Sequence, residues 1–186
     1  MKHRAVFLDR DGTLIEEKGY ICKFSEVNIF PFSLEAVKIL NARDYKVIVV
    51  TNQSSVARGI CTERQVQNIH ERIKKYFQQY SAHIDAFYYC PYHEEGGIAK
   101  YRKKDEGRKP SPGMLFQAAQ DLNIDLSKSY MVGDSERDIL AGQHAACRTI
   151  LVLTGHGQQV SQRLALTKIK PTSIAGNLLE AVQLIV

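Results

Sequence analysis

An apolar run over residues 5–8 opens directly onto Asp9-Arg10-Asp11-Gly12-Thr13. An Asp at the carboxyl tip of a parallel strand lies in the crevice where open α/β sheets bind ligands. A second Asp two residues on can bring its carboxylate near the same point, and Gly12 allows the tight exit that lets backbone approach a ligand. Such a pair suits either a divalent cation held by oxygen ligands or a nucleophile beside a general acid. Taken alone, Asp-x-Asp-Gly reads equally well as an exposed turn. Three further stretches shift that balance. Thr51-Asn52-Gln53-Ser54 supplies hydroxyl, amide and backbone donors, Arg108-Lys109-Pro110 supplies fixed cations, and Gly133-Asp134 with Asp138 adds carboxylates. Acids, donors and a cation at the ends of separate strands form the set needed for metal-assisted phosphoryl transfer.

Elements must hold these groups together. Short β-rich runs at 5–8, 47–50, 86–89, 129–132 and 149–153 alternate with helix-like segments, which reads as an α/β fold with a parallel sheet of about five strands. Ser33 is the expected N-cap of a helix over 33–43. Thr62 followed by Gln65 is a capping-box signature that opens a helix carrying Val66, Ile69, Ile73 and Phe77 on one stripe. Further helices are expected from Pro112 to Leu122, over 137–145 and over 175–184, while 158–171 carries no clear signal. Two stretches, 16–32 and 91–109, read as loops long enough to bind a ligand. Neither they nor the spacing between Thr13 and Thr51 leave room for a cap domain.

With 186 residues, 44% hydrophobic and 24% charged, the chain has the make-up of one soluble domain over 1–186, which excludes disordered, collagen-like and fibrous classes. The net charge of +5 is mild. Its densest basic run, 100–104 with Arg108 and Lys109, is broken by Asp105 and Glu106, so no nucleic-acid partner is expected. Apolar stretches are too short to cross a bilayer, which needs about 20 residues, and no partner membrane is expected. No leader is expected ahead of the first strand, and the four cysteines, Cys22, Cys61, Cys90 and Cys147, lie far apart. A cytoplasmic monomer with reduced thiols is the expectation.

The ordered motifs Asp9-x-Asp11-Gly12-Thr13, Thr51-Asn52, Lys109 and Gly133-Asp134-x-x-x-Asp138 resemble the haloacid dehalogenase superfamily of phosphohydrolases. The fuller wording resembles its D-glycero-D-manno-heptose 1,7-bisphosphate phosphatase and histidinol-phosphate phosphatase branch. That wording is Phe7 to Thr13, Thr51-Asn52-Gln53-Ser54-x-x-Ala57-Arg58-Gly59, Tyr88-Tyr89-Cys90-Pro91 and Arg108-Lys109-Pro110-x-Pro112-Gly113-Met114. The likeness spans about residues 4 to 157. It implies a three-layer Rossmann-like fold, with Asp9 as nucleophile and Asp11 as the acid that protonates the leaving oxygen. It also implies Mg²⁺ on the Asp9 carboxylate, the Asp11 carbonyl and Asp134, with Thr51, Asn52 and Lys109 neutralising phosphoryl oxygens. Arg10, Glu17, Tyr20, Asn52, Gln53, Ser54, Arg58, Arg108 and Ser135 are the expected substrate contacts. The phosphorylated small molecule is then a heptose bisphosphate on the route to nucleotide-activated heptose for surface polysaccharide. Alternatives are histidinol phosphate or, from another class, non-catalytic binding of a phosphorylated ligand.

The chain departs from this branch in the loop before the lysine motif. Where relatives carry four zinc ligands, it has Cys90, Tyr92, Asp105 and Gly107. Glycine offers no ligand atom, so no structural zinc is expected. Tyr88, Tyr89, Tyr92 and Tyr101 are expected to pack the loop down, with 102–104 pairing to Glu94, Glu95 or Glu106. Ser135 stands where a basic residue is usual, and Ser55 where glycine is usual.

Overall fold

The computed structural model describes residues 2–186. Six strands form one parallel sheet: β1 (Ala5–Leu8), β2 (Lys46–Asn52), β3 (Ala86–Cys90), β4 (Tyr130–Gly133), β5 (Arg148–Val152) and β6 (Ser173–Ala175), in the order β3-β2-β1-β4-β5-β6. The five expected strands are all present. The sixth, β6, escaped notice because three residues with an exposed Ile174 at a sheet edge carry almost no periodic signal.

Alternation along the strands divides the core in two. Val6 and Leu8 of β1 face one layer, together with Val47 and Val49 of β2, while Ala5, Phe7, Ile48 and Val50 face the other. Helices α1 (Ser33–Ala42), α2 (Glu63–Gln79) and α6 (Leu178–Gln183) cover the first face; α3 (Gly113–Asp121) and α4 (Glu136–His144) cover the second. The last helix of the second face, α5 (Gly157–Ala165), packs Val160 and Leu164 on Ile139 and Leu151. It occupies most of the stretch without a periodic signal, because only those two of its residues and Gly157 are buried.

Local chemistry explains most boundaries. Thr62 caps α2 through its side chain, and Gln65 returns a bond to the Thr62 N–H at 2.8 Å. Ser33 departs from its expected role. Phe32 is the N-cap of α1, while the Ser33 hydroxyl, fully buried, donates to the Leu14 carbonyl at 2.8 Å and joins the helix to the segment after β1.

The chain runs from β1 outward to β3 and then crosses to β4 on the far side of β1. The carboxyl ends of β1 and β4 therefore flank the switch point where such sheets leave a crevice. Asp9 follows β1, Asn52 ends β2, and Asp134 follows β4, so three separate stretches of chain meet there.

Among the described residues, Cys22 and Cys61 form a disulfide across a Cα separation of 5.4 Å, which corrects the expectation of reduced thiols throughout. The reason is tertiary. The 16–32 loop folds back over the turn before α2 and brings together two cysteines 39 positions apart, a proximity no local pattern encodes. Cys90 and Cys147 are buried and free. No helix among the described residues is long and apolar enough to cross a membrane.

Candidate active site

Lys109 is the hub. Its ammonium is 2% exposed and reaches the Val50 carbonyl at 2.8 Å, Asp9 Oδ1 at 2.9 Å and Asp138 Oδ1 at 2.6 Å. Three donors meet three acceptors, so Lys109 acts at the site as a fixed charge beside Asp9. The Asn52 side chain holds the lysine's backbone in a reciprocal clasp, accepting from the Lys109 N–H and donating to its carbonyl, both at 3.0 Å. Asp138, fully buried, also accepts from the Ser135 hydroxyl and backbone N–H, which fixes the first turn of α4.

Asp9 receives the Arg10 N–H at 2.7 Å and the Lys109 ammonium on Oδ1. Its Oδ2 has no hydrogen-bond partner among the described residues. Asp134 is held by the His156 N–H at 2.8 Å, and its carboxylate lies between Gly12 and Gly155. A Cβ at either glycine would fall 2.2 Å from Asp134 Oδ2, and both glycines have positive φ. Only glycine permits this approach.

Ligand atoms of Asp9, Asp134 and Asp138 lie within 4.8 Å of one another. Burial, and then the neighbouring carboxylates, push Asp134 upward; at Asp9 burial acts in the same direction against the pull of Lys109. One ammonium thus leaves this acidic cluster short of positive charge. A divalent cation fits it, with Asp9 and Asp134 as the side chains free to hold one, because Asp138 is committed to Lys109 and to the helix cap. The signal for Asp138's role lies in the sequence itself: a carboxylate four residues after Asp134 falls in the first turn of α4.

Asp11 is fixed from two directions. Arg10 reaches it through Nη2 at 2.9 Å and Nε at 3.1 Å, and Gln53 Nε2 donates to Oδ2 at 3.0 Å. Gln53 also donates to Thr51 Oγ1 at 2.8 Å and accepts from Arg10 at 3.1 Å. Arg10 is 1% exposed and engaged within the protein, which corrects its expected contact with substrate. Its side chain turns inward because Asp11, Gln53 and His70 supply acceptors there.

Two adjoining cavities open from these residues. The inner one, about 70 Å³, touches Asp9, Asp11, Thr51 and Lys109. The outer one, about 370 Å³, is lined by Glu17, Tyr20, Ser54, Arg58 and Arg108, which the sequence brought forward, and by Arg137, which it did not. Arg137 borders both cavities and its guanidinium has no ion pair or hydrogen bond among the described residues. Burial and the charges of Arg137 and Arg58 hold Arg108 below its ordinary pKa; its one bond is to the Tyr92 carbonyl at 3.2 Å. Ser55 also lines the outer cavity, with a buried hydroxyl lacking a partner among the described residues. Ser135 borders the inner cavity, but its hydroxyl is directed to Asp138 at 2.6 Å.

The 91–109 loop is fastened partly as expected. Tyr92 and Tyr101 face each other at 6.0 Å, and both Tyr89 and Tyr101 donate to Glu63 of α2. Its basic residues find other partners than the expected glutamates: Arg102 donates to the Gly96 carbonyl at 2.8 Å, and Lys103 pairs with Asp105 at 3.1 Å. Asp105 accepts the Gly107 N–H at 2.9 Å and lies 3.9 Å from Cys90 Sγ.

A family model described as HAD-hydrolase-like matches residues 107–181. The chain is 42% identical over 153 residues to the D-glycero-beta-D-manno-heptose-1,7-bisphosphate 7-phosphatase of Pasteurella multocida (strain Pm70), covering 82% of this chain and 83% of that protein. It is 39% identical to the D-glycero-alpha-D-manno-heptose-1,7-bisphosphate 7-phosphatase of Burkholderia mallei (strain ATCC 23344), with 82% and 81% covered. The crystal structure of D,D-heptose 1,7-bisphosphate phosphatase from B. bronchiseptica, complexed with magnesium and phosphate, matches with a TM-score of 0.84 at 30% identity, covering 98% of this chain and 97% of that one. With the motif residues gathered at the switch point and relatives this similar along most of its length, the chain belongs to the heptose 1,7-bisphosphate phosphatase family of HAD-like hydrolases.

Proposed function

We propose that the protein is a Mg²⁺-dependent phosphatase that removes the 7-phosphate of D-glycero-D-manno-heptose 1,7-bisphosphate. The observation that carries this reading is the inner cavity, where Asp9 offers an Oδ2 without a hydrogen-bond partner among the described residues, beside the charge of Lys109 and lining the same cavity as Asp11. Asp9 attacks phosphorus as the bond to the sugar's C7 oxygen breaks, and Asp11 gives that oxygen its proton. The resulting aspartyl-phosphate is cleaved when Asp11, now a carboxylate, takes a proton from water and the water oxygen attacks phosphorus. Asp9 and inorganic phosphate are released. Lys109, Thr51 and the Asn52 backbone balance the phosphoryl oxygens as charge redistributes, the main task in this chemistry. Asp9, Asp134 and the Asp11 carbonyl would hold Mg²⁺, which supplies further positive charge to the phosphoryl group.

The outer cavity accepts the sugar and its second phosphate, with Glu17, Tyr20, Gln53, Ser54 and Ser55 on its walls and Arg58, Arg108 and Arg137 as anion contacts. Two phosphates of about −1.5 to −2 charge each keep such a substrate in the compartment where nucleotide-activated sugars are made, which supports a cytoplasmic enzyme.

The test is kcat/KM with Mg²⁺ for both anomers of the bisphosphate, histidinol phosphate and p-nitrophenyl phosphate, for the wild type and Asp9→Asn. A preference for one anomer above about 100-fold is expected, and Asp9→Asn should lose at least about 10³-fold. Retained activity in Asp9→Asn overturns the mechanism, and equal slow turnover of all sugar and amino-alcohol substrates overturns the substrate.

A further inference from the structure

The apolar stripe of α2 contains one polar member. His70 sits among Val66, Ile69, Ile73 and Phe77, is 5% exposed, and is stacked on Phe87 at 4.8 Å with Tyr89 edge-on at 5.6 Å. An unpaired imidazole here would lose its water contacts without replacement. Its partner is Arg10, whose Nη1 lies 3.1 Å from His70 Nε2. A guanidinium can only donate, so Nε2 accepts and the ring is neutral with its proton on Nδ1. Burial first, and then the Arg10 charge, hold the imidazole well below its ordinary pKa, consistent with that tautomer.

The remaining contacts of Arg10 lead to the chemistry. Its Nη2 donates to Gln53 Oε1 and Asp11 Oδ1, and its Nε reaches both Asp11 oxygens at 3.1 and 3.2 Å. The fork is planar, so fixing Nη1 on His70 fixes the plane that faces Asp11. Without an acceptor at Nε2, a buried N–H of Arg10 faces two aromatic rings and the guanidinium must turn to satisfy it.

We propose that His70 is a positioning residue for proton transfer, setting Asp11 through Arg10 while touching neither substrate nor phosphoryl group. The proposal rests on the phosphatase reading above, in which Asp11 protonates the leaving oxygen. It predicts a selective defect. A sugar alkoxide leaves only with a proton, whereas p-nitrophenolate leaves with little help. Asp9, Lys109 and Asp134 make no contact with His70, so attack on phosphorus should be spared.

The experiment measures kcat and KM with Mg²⁺ on the heptose bisphosphate and on p-nitrophenyl phosphate for wild type, His70→Phe and His70→Gln. Phenylalanine keeps the ring and removes the acceptor; glutamine returns an acceptor at similar reach. His70→Phe should lower kcat on the sugar substrate by about 10–100-fold, with KM and aryl phosphate turnover changed far less, and His70→Gln should recover most of the loss. Equal losses on both substrates, or no recovery with glutamine, assign His70 a structural role and overturn the proposal. Should His70→Phe fail to fold, His70→Asn replaces it, since its amide stops short of the Nε2 position; equal sugar kcat for the asparagine and glutamine variants would overturn the proposal. Wild-type protein that turns over neither substrate refutes the phosphatase reading and this proposal with it, while active wild type with an unmoved substrate ratio in the variants refutes the positioning role alone.

Discussion

The floor of the site and its rim are held by different means. On the floor, Lys109 and Asp138 are at most 2% exposed, and Lys109 meets three acceptors on three separate segments. On the rim, Arg58 and Arg137 are exposed without side-chain partners among the described residues, and Arg108 has a single bond to Tyr92. A buried charge must be paired and hydrogen-bonded to persist, so the floor tolerates one arrangement only. A solvated guanidinium has no such constraint. The reaction is therefore fixed by buried groups that pair with one another, and the choice of substrate is left to side chains that can change without disturbing the core.

The sharpest way to break this contrast is Lys109→Met. It leaves Asp9 and Asp138 facing each other without the intervening cation. The phosphoryl oxygens also lose a fixed charge. We expect kcat to fall by about 10²–10³-fold and urea unfolding to lose about 3–5 kcal/mol. Adding Asp138→Asn should restore part of the stability and none of the activity, because it removes the stranded buried charge but returns no cation. Stability unchanged in Lys109→Met would mean that the floor is not locked by this pair.

The same division governs what could be read from the sequence. The five principal strands were legible because each is a continuous apolar run ending in a chemically distinct residue. Asp9, Asp11, Thr51 and Asp134 were legible because they follow those runs, and Lys109 because it opens a Lys-Pro stretch ahead of a helix. Arg10 misled, since nothing local tells whether an arginine between two aspartates faces substrate or turns inward to Gln53 and His70. Arg137 was missed because its importance comes from a cavity assembled from widely separated segments. His70 was hidden inside a stripe whose periodicity was read from its apolar members alone. The Cys22–Cys61 bond depends on how a long loop folds back, which spacing does not reveal.

That bond separates the two rim loops. The 16–32 loop, which carries Glu17 and Tyr20, is tied covalently to the turn before α2, whereas the 91–109 loop relies on Glu63, Asp105 and backbone acceptors. Cross-linking residues 39 positions apart restricts the unfolded chain, and Cys22→Ser should cost about 2–4 kcal/mol. Thermal unfolding with and without a thiol reductant gives the check: reductant should lower the Tm of the wild type to that of the variant and leave the variant unmoved. A wild-type Tm indifferent to reductant and equal to the variant's would show that the bond does not form in solution. KM should rise in the variant more than kcat falls, because Tyr20 lines the outer cavity alone, while Glu17, which borders both cavities, makes no bond to Lys109.

The smallest expected effect belongs to Arg137, and it tests whether the rim discriminates at all. Ser135 cannot supply positive charge at the cavity, and its hydroxyl is already bound to Asp138. Two residues on, Arg137 borders both the inner and outer cavities, its guanidinium without a partner among the described residues. A second phosphate on the substrate would meet it together with Arg58 and Arg108. Its exposure limits what one such contact can contribute, so Arg137→Ala should lower kcat/KM for the bisphosphate by about tenfold, and less as ionic strength rises. A sugar carrying only the scissile phosphate should be affected by a smaller factor, and unfolding should be unchanged. Equal losses for the two substrates would show that Arg137 attracts anions in general and that the choice between one phosphate and two is made elsewhere on the rim.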